Sequence, residues 1–437
     1  MGPLSGAEPP SSRHRMAGIA TLFVCILGLM IAGLLAGGLV SRDDIAGGLQ
    51  GQDPVLADAS MDQWTLCGLL IQGTATEPGA SPLTNALMNY SDQPIGPDGP
   101  CRLVSELRAG ALPRSEHPEP YFRYWFGTAA LMRVGIAVVG FAGVLNLFFI
   151  AAIIALMLLA VSLARATSVA VAIGTLLPLA LGTDFANVMR SPAENLQWVV
   201  TWSAGALLCS ARGWRLGTRA AVVAASAALV NYFDLLRTPV AFALMLVGPI
   251  LVVMVWDRAR PLVLLRSAAV VAAAWFTGYA GAWVVKWALV AATVPGADVL
   301  NQIRGQLAYR SEGVVDGTST SVAHAISRNV RTFWDQGLAP VVLTILAVAL
   351  VTLGVSAYRR HSWIPVLAFI ATAWIGVLPF VWYALVKNHS IIHNWMTFRS
   401  IAAAVAVLSG LALAAVGPPR SALPLARARR LLGRLLA

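Results

Sequence analysis

The sequence predicts an all-α fold: a polytopic transmembrane helical bundle of about ten spans, with a long first external loop and an interfacial helix. Three observations predict it. Only 12% of the 437 residues are charged and 58% are hydrophobic, whereas soluble globular chains carry about 25% charged residues. Apolar runs recur at close to the ~20 residues that an α-helix needs to cross a bilayer. Arginine collects in alternate connections between those runs, as the positive-inside rule requires.

Residues 1–16 form a cytoplasmic tail in which Arg13 and Arg15 precede the first span, 17–40. The apolar run Met16 to Val40 is too long for a signal-peptide core and lacks a small-residue cleavage site, so it reads as a retained helix. Residues 41–127 form the first external loop, rich in Gly, Pro, Asp and Ser. From Tyr121 to Gly140 an amphipathic stretch reads as a helix lying in the interface. Trp125, Phe126, Leu131 and Val134 supply its apolar side, and Arg123 and Arg133 snorkel. The block 128–293 contains that helix and spans two to seven, near 142–164, 167–183, 196–211, 217–233, 238–256 and 266–293. A second external loop, 294–337, has helical patterns at Val299 to Tyr309 and Val322 to Trp334. The block 338–416 contains spans near 338–357, 363–386 and 397–416, and a basic cytoplasmic tail, 417–437, follows. The third and fourth spans are short, and Ala129 to Phe141 could form an eleventh element.

The formal net charge is +11. On this topology sixteen arginines fall on the cytoplasmic side against only Glu8 and Asp257, while thirteen arginines, both lysines and eighteen acids fall outside. The excess is therefore topological, which removes nucleic acid as a partner. The basic turns hold Arg165; Arg212, Arg215 and Arg219; Arg258, Arg260 and Arg266; and Arg359 and Arg360. The tail adds Arg420, Arg427, Arg429, Arg430 and Arg434. This arrangement predicts a multi-pass protein of a bacterial cytoplasmic membrane with both termini in the cytoplasm. Cys25 and Cys209 sit in apolar runs and read as small packed hydrophobes. Cys67 and Cys101 share the first loop and are expected to form a disulfide, closing about 34 residues for roughly 3 kcal/mol.

A charge at bilayer depth costs at least about 2.5–3.5 kcal/mol, so those that persist mark function or pairing. They gather at the outer helix ends. Asp43 and Asp44 follow the first span, Asp184 the third and Asp234 the fifth. Lys286 lies inside the seventh between Trp283 and Trp287, where it calls for a carboxylate or a lipid phosphate. The ninth ends in Lys387-Asn388-His389, and the densest cluster runs from Asn388 and His389 through His393 to Trp395, followed by Arg399. Histidines four apart share a helix face. Ser390 stands where a zinc protease has Glu, which sets that class aside. Two imidazoles followed by a guanidinium suit a phosphate clamp, the alternative being a hydrogen-bonded interhelical turn. Asp234 likewise has two readings, a functional carboxylate or a partner of Arg237 that caps the helix beginning near Pro239.

Three strings, Tyr121-Phe-Arg-Tyr-Trp-Phe-Gly127, Tyr232-Phe-Asp-Leu-Leu-Arg-Thr-Pro239 and Asn388-His-Ser-Ile-Ile-His-Asn-Trp-Met-Thr-Phe-Arg399, resemble marks of a poorly characterised family of bacterial polytopic membrane proteins. That family's pattern has His where this chain has Phe126 and Thr where it has Arg237. The layout in turn resembles the GT-C glycosyltransferases, which take sugar from a polyprenyl-phosphate donor on the external face. The resemblance implies a loop carboxylate as general base, here Asp62, or failing that Asp43 or Asp44. It implies cations on the leaving phosphate, for which Arg123, Lys286, His389, His393 and Arg399 are the candidates, with Asp184, Asp234 and Asn388 completing the substrate-binding set. The implied partners are the bilayer, a polyprenyl-phosphate-linked sugar and a cell-envelope glycan acceptor. No cofactor is called for, and a divalent metal stays open. The alternatives are a transporter or flippase of a lipid-linked or anionic solute, and a membrane acyltransferase with one histidine as base.

Overall fold

A computed structural model describes residues 12–51, 63–92, 99–116, 118–294, 296–312, 314–315, 318–336 and 338–417. Asp62 and the arginines of the C-terminal tail lie outside the described residues. Helix is the rule throughout, because inside a bilayer every backbone N–H and C=O must be satisfied within its own segment or barrel. Among the described residues, eight helices are long and apolar enough to cross a membrane: Ala20–Gly38, Gly127–Ala166, Leu216–Phe233, Pro239–Trp256, Pro261–Thr293, Ala339–Arg359, Ile364–Leu385 and Asn394–Val416. The chain is a multi-pass membrane protein. The third and fourth predicted spans form the helices Val169–Gly182, apolar but only 14 residues long, and Pro192–Ser210, which opens with Glu194, Asn195 and Gln197. The two-residue strands Val314–Val315 and Thr318–Ser319 make a small hairpin between the helices Val299–Ser311 and Val322–Asp335.

Burial sorts the helices into a centre and a rim. The apolar windows of Pro239–Trp256 and Asn394–Val416 are 94% and 83% buried, whereas those of Ala20–Gly38, Gly127–Ala166 and Ala339–Arg359 are 22% buried. A rim helix so apolar needs lipid as its solvent. Along Gly127–Ala166 the exposed residues Leu147, Ile150, Ile154, Met157 and Val161 recur at helical spacing on one face, and Ala152, Ala155, Leu159, Leu163 and Ala166 pack inward on the other. Small residues bring helices together, as is usual in membranes. At Gly278 a β-carbon would stand 2.1 Å from the Ala224 carbonyl, so the helices Pro261–Thr293 and Leu216–Phe233 touch backbone to backbone.

The helix Gly127–Ala166 is two pieces joined at Gly140, whose φ of 73° and ψ of 169° break the ladder. The expected interfacial segment is therefore distinct, but it starts at Gly127, and its N-terminal residues are not a lipid-facing stripe. Trp125 and Phe126 are buried in the protein. Arg133, expected to snorkel, is buried and donates to the Gln72 carbonyl at 2.6 Å.

The first loop builds a helical layer of its own from Arg42–Gly48, Gln63–Ile71, Pro82–Met88 and Gly99–Arg108. Ile45, Leu49, Leu69, Leu70, Leu103 and Leu107 bury its apolar side. The Cys67–Cys101 disulfide joins its second and fourth helices, with Cα atoms 4.9 Å apart. Lys286 ties the same layer to the bundle. Its ammonium donates to the Leu87 carbonyl at 2.5 Å, in the last turn of Pro82–Met88, and stands 5.3 Å from the Trp125 ring centroid. The anionic partner expected for Lys286 is thus replaced by a helix C-terminus, whose carbonyls carry partial negative charge, and an aromatic face.

Cutting the disulfide releases a loop of 34 residues, so Cys67→Ser with Cys101→Ser should lower the detergent melting temperature by several degrees. Thiol labelling of the unfolded protein should give two further modified cysteines only after reduction.

Candidate functional site

The three sequence strings meet at one place. A cavity of about 640 Å³ is lined by Thr65 of the first loop; Tyr121, Arg123, Tyr124 and Phe126; Leu235 and Arg237; Tyr309 and Arg310; and His389, Ile392, His393, Trp395 and Met396. The segments come together through local packing. Gly127 lies flat on Tyr232, where a β-carbon would stand 2.2 Å from the ring, so the first string cannot approach the second with a larger residue there. Trp125 donates its indole N–H to the Ala282 carbonyl at 3.0 Å, and Thr128 donates to the Phe233 carbonyl at 3.1 Å. Asn388 donates to the carbonyls of Tyr309 at 2.8 Å and of Glu312, fastening the third string to the end of Val299–Ser311. Phe126 and Leu236 both hold positive φ, 58° and 64°, in conformations that cost a non-glycine residue about 1–2 kcal/mol. Such outliers concentrate where a site over-determines its backbone.

The lining is cationic. Arg123 donates to the Gln306 side chain at 2.8 Å and lies 4.3 Å over the Tyr121 ring. Arg310 donates to the Tyr124 hydroxyl and, at 3.1 Å, to Nδ1 of His389. The other His389 nitrogen, Nε2, is 2.6 Å from the Leu236 carbonyl. A guanidinium only donates and a carbonyl only accepts, so His389 is neutral, with its proton on Nε2. Burial first, then Arg310 and His393, hold its pKa well below the ordinary 6.5. The His393 ring is 4.7 Å from that of His389, centre to centre. No Asp or Glu lines this cavity among the described residues.

The charge behind it is balanced by a carboxylate that the sequence reading did not single out. Glu194, in the first turn of Pro192–Ser210 and buried, accepts from Arg399 Nη1 and lies 3.3 Å from Arg237 Nε. Arg399, expected on a substrate phosphate, therefore pairs with Glu194 behind the cavity and does not line it. Arg237 reaches Glu194 while it borders the cavity; the expected side-chain pair with Asp234 does not form. Asp234 is fully buried and accepts the Arg237 backbone N–H at 3.0 Å and the Tyr279 hydroxyl at 2.5 Å. It closes the turn between two helices, and Thr238, not Asp234, occupies the cap position of Pro239–Trp256. Burial, opposed by the Tyr279 hydrogen bond and by Arg237, raises its pKa to about 6.

Four further candidates stand apart from the cavity. Asp44 forms a capping box with Ser41 at the start of Arg42–Gly48, and Asp43 beside it is exposed. Asp184 accepts from the Asn187 amide at 2.5 Å in a helix-start turn. Lys286, bound to Leu87, is not part of the lining. Arg310 was equally missed, although it follows the helical pattern read at Val299 to Tyr309. Among the described residues no group of three or more His, Cys, Asp and Glu could hold a metal ion. The chain matches no family model, no curated protein and no solved structure.

Removing one partner of a buried ion pair costs about 3–5 kcal/mol. Glu194→Gln should accordingly destabilise the protein severely, and the Glu194→Gln, Arg399→Gln double variant should recover part of the loss in thermal melts. His389 supplies a pH signature. Its folded pKa lies below its unfolded value, so stability is unaffected above 6.5 and falls as the unfolded state takes up a proton below it. Asp234 acts in the opposite sense, its folded form binding a proton as pH drops through about 6. Melting temperatures of wild type and His389→Gln between about pH 7.5 and 5.5, one unit on either side of histidine's usual pKa of about 6.5, should diverge toward acid, with the variant losing less.

Proposed function

We propose that the chain is a membrane glycosyltransferase of GT-C-like layout that moves a sugar from a polyprenyl-phosphate donor to a cell-envelope glycan. The observation that carries this reading is the single cavity at the helix ends, where Arg123, Arg237, Arg310, His389 and His393 converge from separate segments. Phosphate is the ligand such a set suits. Planar guanidinium forks match its oxygens bidentately, and a neutral imidazole adds polarity without further repulsion. On a ten-span topology with both termini in the cytoplasm, in which the two shorter helices cross along with the eight long ones, the arginine-rich turns lie opposite the cavity, and this supports the reading.

In this reading Arg123 and Arg310 hold the donor phosphate. Negative charge grows on its oxygen as the bond to the sugar breaks, and preorganised guanidiniums stabilise that charge where it develops. Arg237, already shared with Glu194, contributes less net charge to the cavity. Proton removal from the acceptor hydroxyl falls to the loop carboxylate Asp62. Asp43 and Asp44, exposed at a helix start, are the weaker candidates. A base role for His389, as an acyltransferase would use, is disfavoured because both ring nitrogens are already engaged. A transporter reading finds no inverted repeat in the sequence.

Reconstituted in proteoliposomes with a polyprenyl-phosphate-linked sugar, the protein should release polyprenyl phosphate and glycosylate its acceptor. Arg310→Gln should reduce turnover by about 10²–10³-fold, as loss of one preorganised donor does. Asp62→Asn should abolish transfer while expression and melting temperature hold. Wild-type turnover in both variants would overturn the reading, and so would movement of the lipid across the vesicle without any covalent change.

A further inference from the structure

Beside the cationic cavity lies a second chamber of about 320 Å³, sharing Thr65, Tyr121, Arg123, Phe126 and Leu235 with it and adding Gly68, Leu69, Gln72, Ser91, Glu119 and Pro120. Its chemistry is different. Among the described residues the first cavity is lined by arginines and histidines and by no Asp or Glu; the second is lined by Glu119, Gln72 and Ser91. Tyr121 and Arg123, stacked on each other, belong to both.

Two of these groups are built in. The Glu119 backbone pairs with Ser91 in both directions, N to O at 2.8 Å and O to N at 3.0 Å, and the next anchor is the Tyr121 N–H on the Met88 carbonyl at 2.8 Å. Glu119 is thereby fixed in position while its side chain stays exposed. Gln72 is 3% exposed, and its side-chain oxygen has no hydrogen-bond partner. Its backbone carbonyl takes Arg133, which holds the residue at the chamber wall. A buried amide oxygen without a partner costs about 1–3 kcal/mol, and that cost is recovered when a donor reaches it.

From this pairing of chambers we infer that the second is the subsite for the hydroxyl-bearing acceptor, a carbohydrate whose O–H groups donate to the Glu119 carboxylate and the Gln72 amide oxygen. The assignment rests on the transferase reading. It divides the site by charge: the anionic donor headgroup is attracted to the arginines and repelled from Glu119, and a neutral polyol is held where its hydroxyls find acceptors. The shared Arg123–Tyr121 pair then forms the boundary across which the two substrates meet.

The test uses the full-length protein in lipid nanodiscs, with binding followed by tryptophan and tyrosine fluorescence. The probes are four neutral methyl glycosides (glucopyranoside, mannopyranoside, galactopyranoside and arabinofuranoside) and, separately, inorganic pyrophosphate. At least one glycoside should bind. Glu119→Gln, at an exposed position where the fold is not at risk, should weaken it about tenfold, the usual weight of a hydrogen bond to a charged group. It should leave pyrophosphate binding no weaker, since it removes a negative charge that repels the anion. Arg310→Gln should do the reverse. Binding of none of the four glycosides, or binding indifferent to both Glu119→Gln and Gln72→Leu, overturns the subsite even if pyrophosphate binds. Glycoside binding that needs Glu119 without any pyrophosphate binding would instead overturn the lipid-phosphate reading and leave the subsite standing.

Discussion

Glu194 holds three separate stretches of chain to one point. It sits at the start of Pro192–Ser210, and its carboxylate meets Arg237 of the turn after Leu216–Phe233 and Arg399 at the head of the last membrane helix. All three side chains are buried, at 1%, 2% and 4% exposure. In a low-dielectric interior an unpaired ion is costly, so each of these charges is stabilised by the others. The carboxylate thus does more than neutralise charge: it sets where one wall of the cavity stands. Arg237 keeps its place at the rim because its Nε is committed behind it, and the His389 turn leads directly into the helix that Arg399 anchors.

The opposite wall is held by other means. Gly127 against Tyr232, the Trp125 indole on the Ala282 carbonyl and the Lys286 ammonium on the Leu87 carbonyl join the loop layer to the bundle without ion pairs between side chains. Such contacts are short and directional. They fix Tyr121, Arg123 and Tyr124 along the cavity wall. The side chain of His389 illustrates how completely the lining is committed. It is both an acceptor for Arg310 and a donor to Leu236, so it links the second loop to the turn after Leu216–Phe233.

Much of this was legible in residue patterns. Run lengths and arginine placement mark the membrane helices because the bilayer imposes length and apolarity on each segment separately. The pairing of Cys67 with Cys101 was also readable, from compartment chemistry, and so was the gathering of polar groups at the outer helix ends near His389, from where ionisable residues meet the apolar runs. What escaped is partner choice. A buried cation can be satisfied by a carboxylate, a helix end or a ring, and linear sequence does not say which it meets. Lys286 found a carbonyl and Trp125, and Arg399 found Glu194. Glu194 itself was overlooked because an acid at the start of a span looks like a helix-end charge, the same signal that Asp184 carries to no effect. Arg310 was hidden for the opposite reason: it lies in a polar loop, where arginine is unremarkable until the loop folds back over His389.

The break at Gly140 bears on how the site tolerates its surroundings. A membrane helix answers a thicker or thinner bilayer by tilting. In an unbroken helix of 40 residues that tilt would be carried straight into Arg123 and Tyr124, a few residues beyond its end. With the hydrogen-bond ladder interrupted at Gly140, the lipid-facing piece can lean while the preceding piece stays clamped to Tyr232 and the loop layer. The joint thus sets a break in the helix between the lipid-facing piece and the segment that carries the cavity arginines.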